Sequence, residues 1–272
     1  MLYSPILSFL KLIILIPWII TISFFQFIAF CFTKRFFFVF YNFLFFGIRK
    51  IFGIKLKVSG EQETKRVMYI SNHISYLDII ILGSLVNAVF VAKSDIRNWP
   101  IINKLCMLGK TIFIERENRR SVKKQAVLIK KNMENGLNVI LFPEGTSSDG
   151  SKVLSFKSSL FEVVDHKELR NYKLQPISIS YNKLDGLPLV KTHRPFLAWF
   201  GAMNLAPHVW QFLGLGNIEV NINFHKSEKF SFFSNRKEAC KYCFERISKQ
   251  VKNDYQLLEV ENQIKLNEFK FL

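Results

Sequence analysis

Hydrophobic and polar positions change rhythm along this chain. From Leu12 to Thr33, "LIILIPWIITISFFQFIAFCFT", 22 residues pass without a charge, enough to cross a hydrocarbon core of about 30 Å. Lys34 and Arg35 close the run, and "FFFVFYNFLFFGI" (36–48) follows, too short to span and suited to a re-entrant or interfacial helix. Beyond residue 50 short apolar runs alternate with amphipathic ones. "VMYIS" (67–71), "AVFVA" (88–92), "TIFI" (111–114), "NVILF" (138–142) and "PISISY" (176–181) have the β-branched and aromatic content of strands covered on both faces. Between the third and fourth, Val122, Ala126, Ile129 and Met133 recur at helical spacing, with Gly136 as a stop and Lys123, Lys124, Lys130 and Lys131 off the stripe. This alternation predicts an α/β fold: a mixed, mostly covered sheet flanked by helices, preceded by an N-terminal hydrophobic helical membrane anchor.

The segments divide into residues 1–50, which anchor, 51–255, the main domain, and 256–272, a tail that reads as a helix or a loose end. A cleaved signal peptide fits poorly, because the apolar run is longer than a signal core and no small-x-small site follows it. Lys34, Arg35, Arg49 and Lys50 flank its carboxyl side against Lys11 alone on the other. The positive-inside rule then places the main domain in the cytoplasm, against the cell inner membrane.

Charge narrows the partners. With 38 Lys plus Arg against 21 Asp plus Glu, the net charge of +17 draws the protein to phosphate-rich surfaces, nucleic acid or anionic lipid. The apolar N-terminus selects lipid, and no helix-turn-helix, zinc module or RNP-type aromatic strand supports a nucleic-acid partner. Of the four cysteines, Cys240 and Cys243 alone form a C-x-x-C. They fall in a predicted helix (235–253) whose buried stripe is Ala239, Cys243, Ile247 and Val251, with no second pair to complete a zinc site.

Two stretches carry candidate chemistry. In "SNHISYLD" (71–78), Ser75 and Asp78 have the form of a capping box opening a helix. Asn72 and His73 lie outside that explanation, at a strand-to-helix turn where α/β proteins place ligand-handling groups. On one unbroken helix His73 and Asp78 would point about 140° apart, so the chain must turn between them. If the helix starts near Ser75, the Asp78 carboxylate can accept from one imidazole nitrogen and leave the other to take a proton. In "LFPEGTSSDG" (141–150) a buried strand ends in a glutamate held between Pro143 and Gly145, near backbone N–H groups able to face an anion.

His73-x4-Asp78, "GKTIFIER" (109–116), "FPEGT" (142–146) and "QPISI" (175–179), in that order, resemble the four blocks of the 1-acylglycerol-3-phosphate acyltransferase family, the glycerolipid acyltransferases. The resemblance spans about residues 67–181. It implies acyl transfer from acyl-CoA or acyl carrier protein, as co-substrate, to the hydroxyl of a lysolipid at a membrane face, with no metal or bound organic cofactor. His73 would be the general base and Asp78 its orienting partner, the acceptor 1-acylglycerol-3-phosphate (lysophosphatidate) and the product phosphatidate in phospholipid biosynthesis, with acylation of another lysolipid such as lyso-ornithine lipid as the alternative. Arg116 and Lys93 would hold the acceptor's phosphate, and Glu144, Gly145 and Thr146 would form the acceptor-binding block. One departure opens the headgroup. Many phosphatidate-forming members carry arginine after "FPEGT", where this chain has Ser147, and "FPEGTSSDG…FKSSLF" is similar to members that acylate lyso-ornithine lipid.

Overall fold

A computed structural model describes residues 3–32, 36–114 and 119–270. Its strands are β1 (Ile54–Ser59), β2 (Val67–Ser71), β3 (Ala88–Lys93), β4 (Ile112–Ile114), β5 (Asn138–Leu141), β6 (Lys173–Leu184), β7 (Leu187–Pro188), β8 (Ile218–Phe224) and β9 (Glu228–Lys229). All five expected strands form, within a residue or two at four of them, whereas β6 is twice the anticipated length. The sheet order is β1-β8-β6-β2-β5-β3-β4, with β7 and β9 pairing along β6. Along this path β1 and β8 are parallel to each other and antiparallel to β6, which is parallel with β2 and the strands beyond it. The sheet is therefore mixed, as expected.

Helices α1 (Pro5–Phe32), α2 (Phe37–Ile51), α3 (Leu77–Gly83), α4 (Pro100–Leu108), α5 (Arg119–Glu134), α6 (Leu205–Leu213) and α7 (Arg236–Lys270) cover it. One face buries Tyr69, Phe90, Ile140 and Ile177 with residues of α1 to α3 and α6. The other buries Met68, Val89, Val139 and Leu141 with Ile129 and Met133 of α5 and Cys243 and Ile247 of α7. The side chain of Val122 lies outside the described ones, and the rest of its predicted stripe is buried. Cys240 and Cys243 are free and buried, and desolvation pushes Cys240 up to about 11, so these thiols are packing groups. Helix α7 runs unbroken across residue 255.

The N-terminal helices pack on the domain by one side. Ser8, Leu15, Ile22, Gln26 and Ala29 form a buried stripe on α1. Ser8 Oγ donates to Trp210 O (2.9 Å), Lys11 Nζ to Leu215 O (2.9 Å) and Gln26 Nε2 to Leu108 O (3.3 Å), so α6 grips one end and α4 the other. Against α2, the Trp18 indole lies where a Cβ on Gly47 would stand, 2.0 Å from the nearest ring atom, and Trp18 Nε1 donates to Leu44 O (3.1 Å). The outer side of α1 exposes Ile6, Phe9, Ile13, Ile20, Phe24 and Phe27 among others. Moving such side chains out of water is worth on the order of 10 kcal/mol in total. The stretch Pro5–Cys31 is long and apolar enough to cross a membrane and is a candidate membrane anchor.

Candidate active site

Parallel strands bring their carboxyl ends to one edge of a sheet, where α/β folds gather functional groups. Here β2, β5, β3 and β4 are mutually parallel. His73 follows β2 by two residues, Glu144 follows β5 by three, and Lys93 ends β3 opposite Ile114 at the end of β4. Arg116 lies outside the described residues. Lys93 pairs with Asp95 (2.5 Å) on the following turn.

Beyond Ser71 the β2–β6 ladder is continued by a side chain. Asn72 Nδ2 donates to Ile179 O and its Oδ1 accepts from Ile179 N, both at 2.9 Å, which explains an asparagine the capping motif does not. The chain then turns, and α3 begins at Leu77. Asp78, fully buried, faces back across the turn: Oδ2 accepts from His73 Nδ1 (2.9 Å), Ile74 N (2.6 Å) and Ser75 N (2.9 Å), and Oδ1 from Tyr181 Oη (2.7 Å). Half of the predicted capping box exists. The acidic residue reaches back, but Ser75 Oγ is buried without a hydrogen-bond partner, because the helix starts one residue later than a Ser75 cap requires, with Tyr76 at the cap position.

A carboxylate is acceptor-only, so Nδ1 of His73 carries the proton in this pair and Nε2 is left with a lone pair. The imidazole stacks on Phe142, centroids 4.3 Å apart and planes 19° apart, and Phe142 stacks in turn on Phe90 at 6.1 Å. The 142–150 loop also holds the His73 backbone from both sides: Glu144 Oε1 accepts from His73 N (2.7 Å), and Ser148 N donates to His73 O (3.1 Å). The two predicted motifs thus form one unit.

Glu144 is engaged at both oxygens, since Oε2 accepts from Leu154 N (2.8 Å). Gly145 sits at φ +79°, and a Cβ there would stand 2.8 Å from the Lys157 ammonium, so only glycine fits both the turn and the lysine lying across it. Thr146 is exposed on the same turn. Tyr181, Phe142, Ser148 and Lys157 did not emerge from sequence reasoning. Phe142 and Ser148 flank "PEGT" and could have been weighed with it, whereas no spacing rule links Tyr181 to an aspartate 103 residues away.

Burial raises Glu144 from the usual 4.5 to about 7, against the two N–H donors, which lower it, and with the Asp78 charge adding to the rise. A carboxyl whose folded pKa exceeds its unfolded value gives stability that is present below the unfolded value and lost as pH climbs through the folded one. Between about pH 4.5 and 7 the wild type should therefore lose about 3 kcal/mol that Glu144→Gln does not lose. Thermal unfolding in detergent across this range checks it: the wild-type Tm should fall relative to the variant as pH rises, and parallel curves would refute the assignment.

Near the turn lies a partly enclosed cavity of about 330 Å³, lined by Leu15 and Ile19 of α1, Leu44 of α2, Tyr76, Phe90 and Cys106 among others. Phe90 lines it, and the Phe142 ring stands between Phe90 and the imidazole. The turn that carries His73 thus lies near an apolar, helix-walled cavity with room for part of a fatty chain. The family model for acyltransferases matches residues 55–180. A lyso-ornithine lipid O-acyltransferase from Rhizobium meliloti is 37% identical over 206 residues, covering 74% of this chain and 70% of its own. The chain belongs to the 1-acylglycerol-3-phosphate acyltransferase family.

This acyltransferase is also 33% identical over 67% of its length to the lyso-ornithine lipid O-acyltransferase of Brucella abortus, covering 70% of that protein. It is 27% identical over 63% of its length to the 1-acyl-sn-glycerol-3-phosphate acyltransferase of Neisseria gonorrhoeae, covering 64% of it. Its fold matches the crystal structure of the 1-acyl-sn-glycerophosphate acyltransferase of Thermotoga maritima, with TM-score 0.66 and 22% identity over 91% of this chain and 94% of that one. It is an acyltransferase of the lysophospholipid type.

Proposed function

We propose that the enzyme transfers a fatty acyl group from acyl-CoA or acyl carrier protein to the free hydroxyl of a lysolipid, with His73 as general base. The observation that carries this reading is the His73 Nδ1–Asp78 Oδ2 hydrogen bond on a turn clamped by the "FPEGT" loop. His73 Nε2 takes the acceptor's hydroxyl proton as its oxygen attacks the thioester carbonyl. The tetrahedral intermediate collapses by breaking the C–S bond, and the leaving thiolate takes the proton back from the imidazolium. Asp78 fixes the tautomer and stabilises the transient imidazolium. The partly enclosed cavity shields the acyl chain from water.

Lyso-ornithine lipid is the acceptor this reading favours. Two relatives named for it are at least 33% identical, and Ser147 stands where phosphatidate-forming members carry arginine. An ornithine headgroup presents one carboxylate and one ammonium, and so needs fewer cations than a phosphate dianion. Lysophosphatidate is the second reading, favoured by Lys93 at the carboxyl end of β3, a cation suited to phosphate. Gly145 and Thr146 would face the headgroup, Glu144 being taken up by backbone N–H groups. Helix α1, gripped at both ends, would lie along one leaflet of the inner membrane with the domain on the cytoplasmic side.

The test is acyl transfer by purified protein in detergent from labelled acyl-CoA and acyl carrier protein, offered lysophosphatidate and lyso-ornithine lipid side by side, with His73→Ala as control. Acylated ornithine lipid from wild type alone is the expected result. Phosphatidate alone would keep the mechanism and replace the acceptor. No product from any pair would point to a lipid-binding protein without turnover.

A further inference from the structure

A second apolar compartment lies outside the first. It is an open groove of about 600 Å³ between α1 and α6, lined by Leu12, Trp99, Trp199, Met203, Ala206 and Trp210 among others. Leu205 and Val209 of α6 line both compartments and so form the wall between them. The same division follows α1, where Leu12 faces the groove and Leu15 and Ile19 the partly enclosed cavity.

The groove is tied directly to the catalytic turn. Trp199 N donates to Ile74 O (3.1 Å), the carbonyl one residue after His73. Its indole packs edge-on to Tyr76 at 6.3 Å and to Trp99 at 6.1 Å, and Trp199 Nε1 donates to Met203 O (2.9 Å). Tryptophans with an apolar body and a satisfied N–H are suited to the boundary between hydrocarbon and water. Phe9 and Ile16, about one helical turn to either side of the groove-lining Leu12, are exposed on α1.

We infer that this groove binds the existing acyl chain of the lysolipid acceptor, while the partly enclosed cavity holds the chain being transferred. The inference rests on the acyl-transfer reading above and adds which chain goes where. The product carries two chains, and the protein offers two apolar compartments, each within the size range of lipid and small-ligand sites, on either side of one helix wall. A donor chain arriving on a water-soluble carrier must be shielded from solvent, which the cavity, the less open of the two compartments and lined almost wholly by apolar side chains, does better than the groove. An acceptor that comes from the bilayer and returns to it needs an opening on the lipid-facing side, and the groove is that opening, with the acceptor's hydroxyl brought to His73 past Ile74.

Two readouts test this. A lysolipid carrying a photoreactive group at the end of its chain should, on irradiation with wild-type protein, label Trp199, Met203 or Trp210. Labelling of Tyr41, Leu44 or Cys106 instead, or none in the groove, would overturn the inference. Crosslinking needs no turnover, so groove labelling by a protein that makes no product would remove the acyl-transfer reading and leave the groove assignment standing. Ala206→Phe, at an exposed position of α6 that lines the groove, should raise KM for a long-chain lysolipid about tenfold. That is the loss expected for displacing about two methylenes from apolar contact. The variant should leave KM for the donor and the donor chain-length preference unchanged, and should act normally on an acceptor with a very short chain. A changed donor preference with unchanged acceptor KM would reverse the assignment.

Discussion

His73→Ala is expected to lower kcat by about 10²–10⁴-fold, the usual contribution of a positioned general base, while the protein stays folded. The second half of that expectation comes from how the turn is held. Both clamps on residue 73 use its backbone, with N to Glu144 Oε1 and O to Ser148 N, and an alanine keeps them. What disappears is the imidazole, its stack on Phe142 and its bond to Asp78. KM for donor and acceptor should move little, because the base is needed in the transition state and not for holding either chain. An unfolding curve that overlays the wild type, together with lost turnover, would confirm the assignment. Wild-type turnover by the variant would end it.

The site was more legible in the sequence than the fold around it. His73 and Glu144 stand just past strand ends, and Asp78 in the first turn of the helix that follows, because parallel strands need crossovers, and the residues that begin those crossovers are displayed in the linear pattern. Strands β1 and β8, on the far side of β6, were missed for a different reason. "IEVNINF" alternates Ile218, Val220, Ile222 and Phe224 toward the core with Glu219, Asn221 and Asn223 less buried. That period of two was visible, yet it sits among loops and lacks the continuous apolar run of the central strands. Helix α6 buries His208, Phe212 and Leu213 and owes its position to α1, a long-range pairing that no local pattern records. From sequence Glu144 fits either a substrate contact or a brace for its loop, and only the positions of His73 N and Leu154 N show both oxygens engaged. Tyr181 was placed correctly on its strand, but its bond to Asp78 crosses 103 residues and exists only once β6 lies beside β2.

Asp78→Asn should cost nearly as much turnover as His73→Ala, about 10²–10⁴-fold, by a route that can be separated from packing. Three donors converge on Oδ2, so the amide must place its oxygen there and its NH₂ toward Tyr181, whose hydroxyl can rotate to accept. The turn is then kept in outline, and what is lost is the negative charge that would steady the imidazolium. Tyr181→Phe removes only the Oδ1 donor, leaves the charge and should cost about tenfold or less in rate, with a stability loss of about 1–3 kcal/mol for the unsatisfied oxygen. The deciding comparison is the double variant. If Asp78 works through His73, then His73→Ala with Asp78→Asn should be no slower than His73→Ala alone, because groups that act as one unit do not lose activity additively. Multiplying losses in the double variant, or a Tyr181→Phe as slow as Asp78→Asn, would make Asp78 a packing residue whose carboxylate the reaction does not use.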